Sequence, residues 1–320
     1  MRVIINTVYG PPEVAHLMEV EKPVPKENEV LIKVHATTVN RTDCGFRSAE
    51  YVISRLFSGI INPKNKTLGN EFSGVIEQTG AAVSLFKVGD RVFGYNDTKF
   101  GAHAEYMTMA ESDNMATMPG NVSFDEAAAI CEGGHYALCD IRAAKVVAGQ
   151  EVLVNGATGA IGSAAIQLLK HFGATVTAIC DTKNVDLIRS LQPDFVIDYQ
   201  NEDFTKLEKK FDFVFDAVGK SSFGKCKPIL KEQGIYISTE LGKNWENIYL
   251  ALSTPLLGGK KVLFPIPTIN KKDVEFLKEL VETGKYKPVI DRKYPLEDIV
   301  SAYRFVETGQ KTGNVIITLN

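Results

Sequence analysis

The turn at residues 156–162 is the part of this chain whose residue types and spacing are best suited to chemistry. Three glycines recur there at every third position, directly after a β-branched run and directly before a helix-like apolar pattern. Backbone N–H groups free of side chains, at the positive end of a helix dipole, are what the pyrophosphate of a dinucleotide requires. The commonest fingerprint has a glycine where this chain has Thr158. We predict cofactor contacts from Gly156, Ala157, Thr158, Gly159, Ala160 and Ile161; a glycine turn that binds no nucleotide is the alternative.

Charged side chains follow the next strand candidate, at 175–180. Asp181 lies about twenty residues beyond the last glycine of the turn, where such folds contact the adenosine ribose. An acid there favours NAD, whereas a nearby cation such as Lys183 favours NADP. We expect NADPH to be preferred, with NADH as the alternative. The residues expected at this end of the cofactor are Asp181, Thr182, Lys183, Tyr199 and Lys311.

The chain shows two different patterns of predicted secondary structure, and these elements must position the residues named above. Residues 123–267 alternate strand and helix patterns, which predicts a doubly wound parallel sheet. Residues 1–122 carry short alternating runs separated by Gly, Asn, Asp and Pro, which indicates a β-rich, partly barrelled domain. We expect residues 268–320 to return to that first domain, because their final strand needs partners. The predicted fold class is therefore α/β, with two domains.

The composition indicates which classes of binding partner and which cellular compartment to expect. A net charge of −3 offers no basic footprint for nucleic acid or an anionic membrane, and no segment approaches the roughly twenty apolar residues of a membrane span. The five cysteines are scattered and include no C-x-x-C pair, which is typical of reduced thiols. We expect a cytoplasmic protein that binds neither nucleic acid nor membrane.

Several strings, in order and spacing, resemble the medium-chain dehydrogenase/reductase superfamily, and within it the zinc-free quinone oxidoreductase and enone reductase branch. They are Asn40-x-x-Asp43 and residues 69–77, 86–92, 101–106, 156–162 and 311–317. The resemblance implies a GroES-like β-barrel domain, a Rossmann domain and NAD(P) bound between them. It also implies cofactor contacts at Val218, Phe264 and Ile266. NADPH-dependent relatives usually have a small hydroxyl residue at the position of Asp181, so this chain departs from their pattern.

The same resemblance allows us to ask whether this chain keeps the catalytic zinc site of the alcohol dehydrogenases. Their catalytic zinc ligands correspond to Asn40, Asn70 and Cys131 in this chain, and one thiolate does not make a zinc site. We expect no metal. Without one, quinones and α,β-unsaturated carbonyls are favoured as substrates, because hydride addition leaves a delocalised anion that a few hydrogen-bond donors can hold.

The catalytic candidates are Asn40, Asp43 and Tyr51. Asn40 is a candidate donor to the substrate oxygen, although a turn residue bonded to nearby backbone is an equal alternative. Asp43 is either an acid near the site or a cap that braces the loop. Arg47 either lines the mouth of the binding cleft or lies on the surface.

Three functions remain open at this point. The first is an NAD(P)H-dependent reductase of quinones or α,β-unsaturated carbonyls, acting on a small-molecule carbonyl substrate. The second is a zinc-independent alcohol dehydrogenase, and the third is a non-catalytic NADP-binding regulatory protein. Relatives commonly dimerise through an edge strand of the Rossmann sheet, so the resemblance implies a homodimer formed at residues 260–265.

Overall fold

The computed structural model describes residues 1–50, 55 and 58–319. In chain order, its strands are β1 (Arg2–Ile5), β2 (His16–Glu19), β3 (Glu29–Val39), β4 (Glu71–Thr79), β5 (Arg91–Tyr95), β6 (Tyr106–Ala110), β7 (Met115–Thr117), β8 (Glu151–Asn155), β9 (Thr175–Cys180), β10 (Phe195–Asp198), β11 (Phe211–Asp216), β12 (Leu230–Ser238), β13 (Lys261–Leu263), β14 (Ile290–Pro295) and β15 (Asn314–Thr318). The described α-helices are α1 (Arg41–Ser48), α2 (Phe124–Ala128), α3 (Cys131–Ala143), α4 (Ala160–His171), α5 (Val185–Ser190), α6 (Phe223–Cys226), α7 (Glu246–Leu257), α8 (Lys271–Glu282) and α9 (Ile299–Glu307).

The first compact unit comprises Met1–Glu132 and Ile269–Asn320. Its main sheet has the strand order β14-β15-β3-β4-β5-β7, and β6 also pairs with β3. The expected return of the C-terminal strand is confirmed, because β15 pairs antiparallel with β3 and places Val315 opposite Val39. Apolar side chains from these strands and from α9 form one continuous core.

The second unit is the continuous segment Gly133–Thr268. Its six strands are all parallel, in the order β10-β9-β8-β11-β12-β13, which confirms the predicted doubly wound sheet. The order reverses between β8 and β11. In open α/β sheets, ligands bind outside the carboxyl ends of the strands at this reversal.

Side-chain caps set where several helices of the first unit begin. Ser123 caps α2 by accepting from the N–H of Glu126, whose carboxylate in turn accepts from the N–H of Ser123. The same reciprocal pair opens α1, between Asn40 and Asp43. This cap fixes the residue at which α1 leaves β3, and so fixes the position of both side chains.

Of the helices in the described part of the chain, none is both long and apolar enough to cross a membrane.

Candidate active site

The glycine turn joins β8 to α4, at the reversal of strand order. Gly156 has φ +80°, a left-handed conformation that favours glycine. A Cβ at Gly156 would lie 2.4 Å from Cγ1 of Val218, and a Cβ at Gly162 would lie 2.1 Å from the carbonyl oxygen of Gly156. Both positions therefore exclude any side chain. The turn has the bare backbone that a pyrophosphate needs, so these residues fit the cofactor.

The N-terminus of α4 supplies the donors. Gly159 is its N-cap and has no side chain with which to cap the helix. The first N–H groups of an α-helix lack partners within the helix, and the dipole makes this end positive. Ala157 is committed elsewhere, because its N–H donates to the carbonyl of Ile179 at 3.0 Å. The donors for an anion therefore begin at the first turn of α4, where Ala160 and Ile161 lie.

A polar brace joins the turn to the neighbouring strand. Asn155 donates from Nδ2 to Oδ1 of Asp216 (3.0 Å), which is fully buried at the end of β11. The other oxygen of that carboxylate accepts from the N–H of Ser221 (2.8 Å) and from the hydroxyl of Tyr236 (3.1 Å). This brace fixes the loop that carries Val218 against the glycine turn.

The predicted ribose end of the site lies after β9, at the same edge of the sheet. Oδ1 of Asp181 accepts from Nδ2 of Asn184 at 2.5 Å, and Oδ2 lies 3.7 Å from Nζ of Lys183. The Lys183 side chain is two-thirds exposed. The hydroxyl of Thr182 donates to Oδ2 of Asp198 at 2.6 Å. The carboxylate of Asp181 thus has a largely exposed cation beside it.

The other predicted cofactor residues of the second unit differ in exposure. Tyr199 is half exposed after β10, and Ile266 is largely exposed after β13. Phe264 and Leu252 line one side of an apolar cavity between β13 and α7. The role of each in cofactor binding stays a prediction.

Lys311 belongs to the first unit, whereas Asp181 and Lys183 belong to the second. Its Nζ donates to the carbonyl of Gly313 at 2.5 Å. Burial lowers the pKa of Lys311, and the charge of Glu132 opposes that shift. Its predicted help to the adenosine end of the cofactor stays a prediction.

Asn40 and Asp43 lie in the first unit, where they form the cap of α1, and the catalytic role of each stays a prediction. Oδ1 of Asn40 accepts from the N–H of Asp43 (2.9 Å), while Asp43 accepts from the N–H groups of Asn40 (3.1 Å) and Gly69 (2.9 Å). Burial raises the pKa of Asp43 to about 7, against those two backbone donors. Tyr51, the third catalytic candidate, lies outside the described residues.

The positions that hold zinc ligands in alcohol dehydrogenases are bonded differently in this chain. Nδ2 of Asn40 donates to Oδ1 of Asn70 at 2.7 Å. Cys131 is buried, and that burial raises the pKa of its thiol well above the ordinary value. Within the residues that the structure describes, no group of three or more His, Cys, Asp or Glu side chains could hold a metal ion.

Sequence reasoning missed Glu132, which lies at the centre of a buried polar cluster. Its carboxylate accepts from the hydroxyls of Thr42 (2.6 Å) and Tyr95 (2.5 Å) and from Nδ2 of Asn70 (3.1 Å). Its N–H donates to Glu71, a second buried carboxylate, at 2.8 Å. Burial raises the pKa of Glu132 to about 7 and that of Glu71 to about 8. No motif marks Glu132, because its partners come from distant parts of the chain.

Arg47 fits neither a surface position nor an open cleft. Its side chain is fully buried and donates to Glu307 and to the carbonyl of Gly10, with its guanidinium 4.9 Å from the ring centre of Tyr303. Both expectations for Arg47 are therefore wrong. The ion pair and the aromatic contact compensate the charge that makes a buried arginine unusual.

Several known proteins that are similar to this chain are oxidoreductases. The "Alcohol dehydrogenase GroES-like domain" family matches residues 26–147, and the "Zinc-binding dehydrogenase" family matches residues 191–317. A "2-methylene-furan-3-one reductase" of Solanum lycopersicum is 35% identical over 99% of this chain and 79% of its own length. The "NADPH-dependent alkenal/one oxidoreductase, chloroplastic" of Arabidopsis thaliana is 32% identical with the same coverage.

Among solved structures, the quinone oxidoreductase from Coxiella burnetii superposes with a TM-score of 0.87. It is 27% identical and covers 100% of this chain and 99% of its own. Together with the plant relatives, this coverage shows that the chain belongs to the medium-chain dehydrogenase/reductase family, in its quinone oxidoreductase and enone reductase branch.

Proposed function

We propose that this protein is an NAD(P)H-dependent reductase of quinones or α,β-unsaturated carbonyls. The observation that carries the proposal is the Asn40–Asn70 hydrogen bond, because it joins two amides where alcohol dehydrogenases have metal ligands. Amide side chains are not among the usual ligands of zinc, but they can donate to an oxygen that gains negative charge. The bound nicotinamide supplies a hydride. The glycine turn of the second unit holds its pyrophosphate.

The first-unit candidates then take separate roles. Asn40 uses one Nδ2 hydrogen for Asn70, and we propose that the other serves the substrate oxygen. Asp43 positions Asn40 by accepting from its backbone N–H. Tyr51 is proposed as a further donor, on the resemblance alone.

A substrate panel tests this function. Oxidation of NADPH and of NADH is followed by absorbance with an enone, a quinone and no acceptor, and reduction of NADP⁺ with a primary alcohol. We expect turnover with the enone or the quinone. Alcohol oxidation at a comparable rate would favour a zinc-independent alcohol dehydrogenase instead. Nucleotide binding without any turnover would favour a regulatory protein.

We propose NADPH as the preferred cofactor. The Lys183 side chain is two-thirds exposed, and its ammonium lies 3.7 Å from Oδ2 of Asp181, where it could pair with a 2′-phosphate. Asp181 opposes that preference, because its carboxylate would repel the phosphate.

Replacing Asp181 by serine is expected to raise the NADPH-to-NADH ratio of kcat/KM by about tenfold, because it removes a like charge from beside the 2′-phosphate. The ratio is measured with one quinone and both cofactors. Lys183→Met is the matched change of opposite sign and should lower the ratio. An unchanged ratio in both variants would show that these residues do not contact the ribose.

We further propose a homodimer formed through β13. This strand is the edge of the six-stranded sheet, so its outer backbone groups lie where a second copy could pair with them. Helix α7, which packs beside β13, exposes Leu252, Leu256 and Leu257. Burying these side chains would stabilise such a pairing.

A cytoplasmic location is also proposed. All five cysteines are free, as a reducing compartment keeps them. The relative from Arabidopsis is named as chloroplastic, and a human relative is named as mitochondrial, so relatives occur in more than one compartment.

A further inference from the structure

The two carboxylate oxygens of Glu132 have different numbers of hydrogen-bond donors. One carboxylate oxygen, Oε2, accepts from both Tyr95 (2.5 Å) and Asn70 (3.1 Å), while Oε1 has the hydroxyl of Thr42 at 2.6 Å. When Glu132 is protonated, the proton therefore belongs on Oε1, since two donors already occupy Oε2. The new O–H then donates to Oγ1 of Thr42. The two oxygens are close enough for a proton to pass directly between them.

Thr42 is the most exposed of the residues that contact the Glu132 carboxylate. Glu132, Tyr95 and Asn70 are buried, whereas Thr42 is half-buried in the first turn of α1. It lies two residues after Asn40, the proposed donor to the substrate oxygen. The hydroxyl of Thr42 thus connects an enclosed carboxyl group to the same end of α1 as Asn40.

Charges of both signs face Glu132. Burial raises its pKa to about 7, the charge of Asp43 on α1 adds to that rise, and Lys311 opposes it. Glu71 on β4 contacts its backbone, and Cys131 precedes it in α3. Glu132 can therefore hold a proton near neutral pH, and Lys311, Tyr95 and Asn70 can stabilise the carboxylate once the proton has left.

We propose that Glu132 stores the proton that completes the reduction and passes it to the substrate anion through the hydroxyl of Thr42. The inference rests on the proposed function. Hydride adds to the β-carbon of an enone. The C=C electron pair then forms a double bond between the α-carbon and the carbonyl carbon, and the C=O π pair moves onto the oxygen. That oxygen takes the proton of Thr42, and Thr42 retakes one from Glu132. Water reprotonates Glu132, and the enol tautomerises to the saturated carbonyl product.

Thr42 is then a catalytic residue and Glu132 a positioning residue that supplies it. Glu132→Gln keeps an oxygen for Tyr95 and Asn70 and an N–H for Thr42, but carries no transferable proton. We expect Glu132→Gln and Thr42→Val each to lower kcat about 100-fold with little change in KM, the range of a lost general acid. Thr42→Ser retains the hydroxyl and should restore most of the rate.

Thr38→Val is the matched control. Thr38 donates to Oε1 of Glu71 at 2.7 Å, so this variant also removes a hydroxyl from a buried carboxylate. Thr38 itself is fully buried, whereas Thr42 is half-buried. Its kcat should stay within about threefold of the wild-type value. Wild-type kcat in Glu132→Gln and Thr42→Val, or a change in KM alone, would overturn the inference.

Infrared spectroscopy of the cofactor-free protein gives a readout independent of turnover. Burial also raises the pKa of Glu71 to about 8 and that of Asp43 to about 7, so at neutral pH we expect several protonated-carboxyl bands that shift in D₂O. One of these bands should be absent in Glu132→Gln and should move in Thr42→Val. An unchanged set of protonated-carboxyl bands in Glu132→Gln would overturn the inference. A wild-type protein that oxidises neither NADPH nor NADH with any enone or quinone would instead overturn the proposed function.

Discussion

Replacing Gly162 by alanine is expected to weaken cofactor binding at least about tenfold and to destabilise the protein by about 1–3 kcal/mol. The added Cβ would lie 2.1 Å from the carbonyl oxygen and 2.8 Å from the carbonyl carbon of Gly156. Both are backbone atoms of the turn itself, so the turn must shift as a whole. The quench or enhancement of NADPH fluorescence measures the affinity, and urea denaturation measures the stability.

Gly159→Ala separates binding from folding in the same turn. Gly159 has φ −71°, and its added Cβ would meet nothing closer than the Gly156 oxygen at 3.7 Å, an ordinary contact. Its stability should therefore stay within about 0.5 kcal/mol of the wild type. Cofactor affinity should still fall, since the methyl group would stand where the pyrophosphate approaches α4. Unchanged NADPH affinity in both variants would contradict the assignment of this turn.

Arg47→Ala is expected to cost about 3 kcal/mol of stability. The substitution leaves the Gly10 carbonyl and the Glu307 carboxylate without their donor and removes the cation from the face of Tyr303. Because the arginine side chain is fully buried, it also leaves a cavity between α1 and α9. The change in the urea midpoint at constant m-value measures the effect.

Arg304→Ala provides the comparison, because Arg304 lies on the same helix, α9. It donates to Oε1 of Glu13 at 2.6 Å, but both side chains are at least half exposed. An exposed pair of this kind contributes under about 1 kcal/mol. Equal losses in the two variants would mean that burial does not set the strength of the Arg47 contacts.

Local patterns predict the parts of this molecule that depend on neighbours in sequence. Strand–helix alternation predicts the parallel sheet, and the spacing of Gly156, Gly159 and Gly162 predicts the turn, since both are set within short segments. The cap at Ser123 is predictable for the same reason.

The polar cluster of the first unit could not be predicted in this way. Glu132 meets Thr42, Asn70 and Tyr95 only after β4, β5 and α1 have assembled, and 90 residues separate it from Thr42. Residue type misleads at Arg47, because arginine is rarely fully buried unless it is paired. Its partner Glu307 is 260 residues away, so no local pattern indicates the pair.

The pairing of β15 with β3 also bears on how the chain is made. One contiguous stretch, Gly133–Thr268, forms the second unit, whereas the first needs segments from both sides of it. During synthesis, the inserted module can acquire its structure while β3 still waits for the strand that will lie beside it. The edge of β3 that β15 covers therefore stays unpaired until the whole second unit has been synthesised.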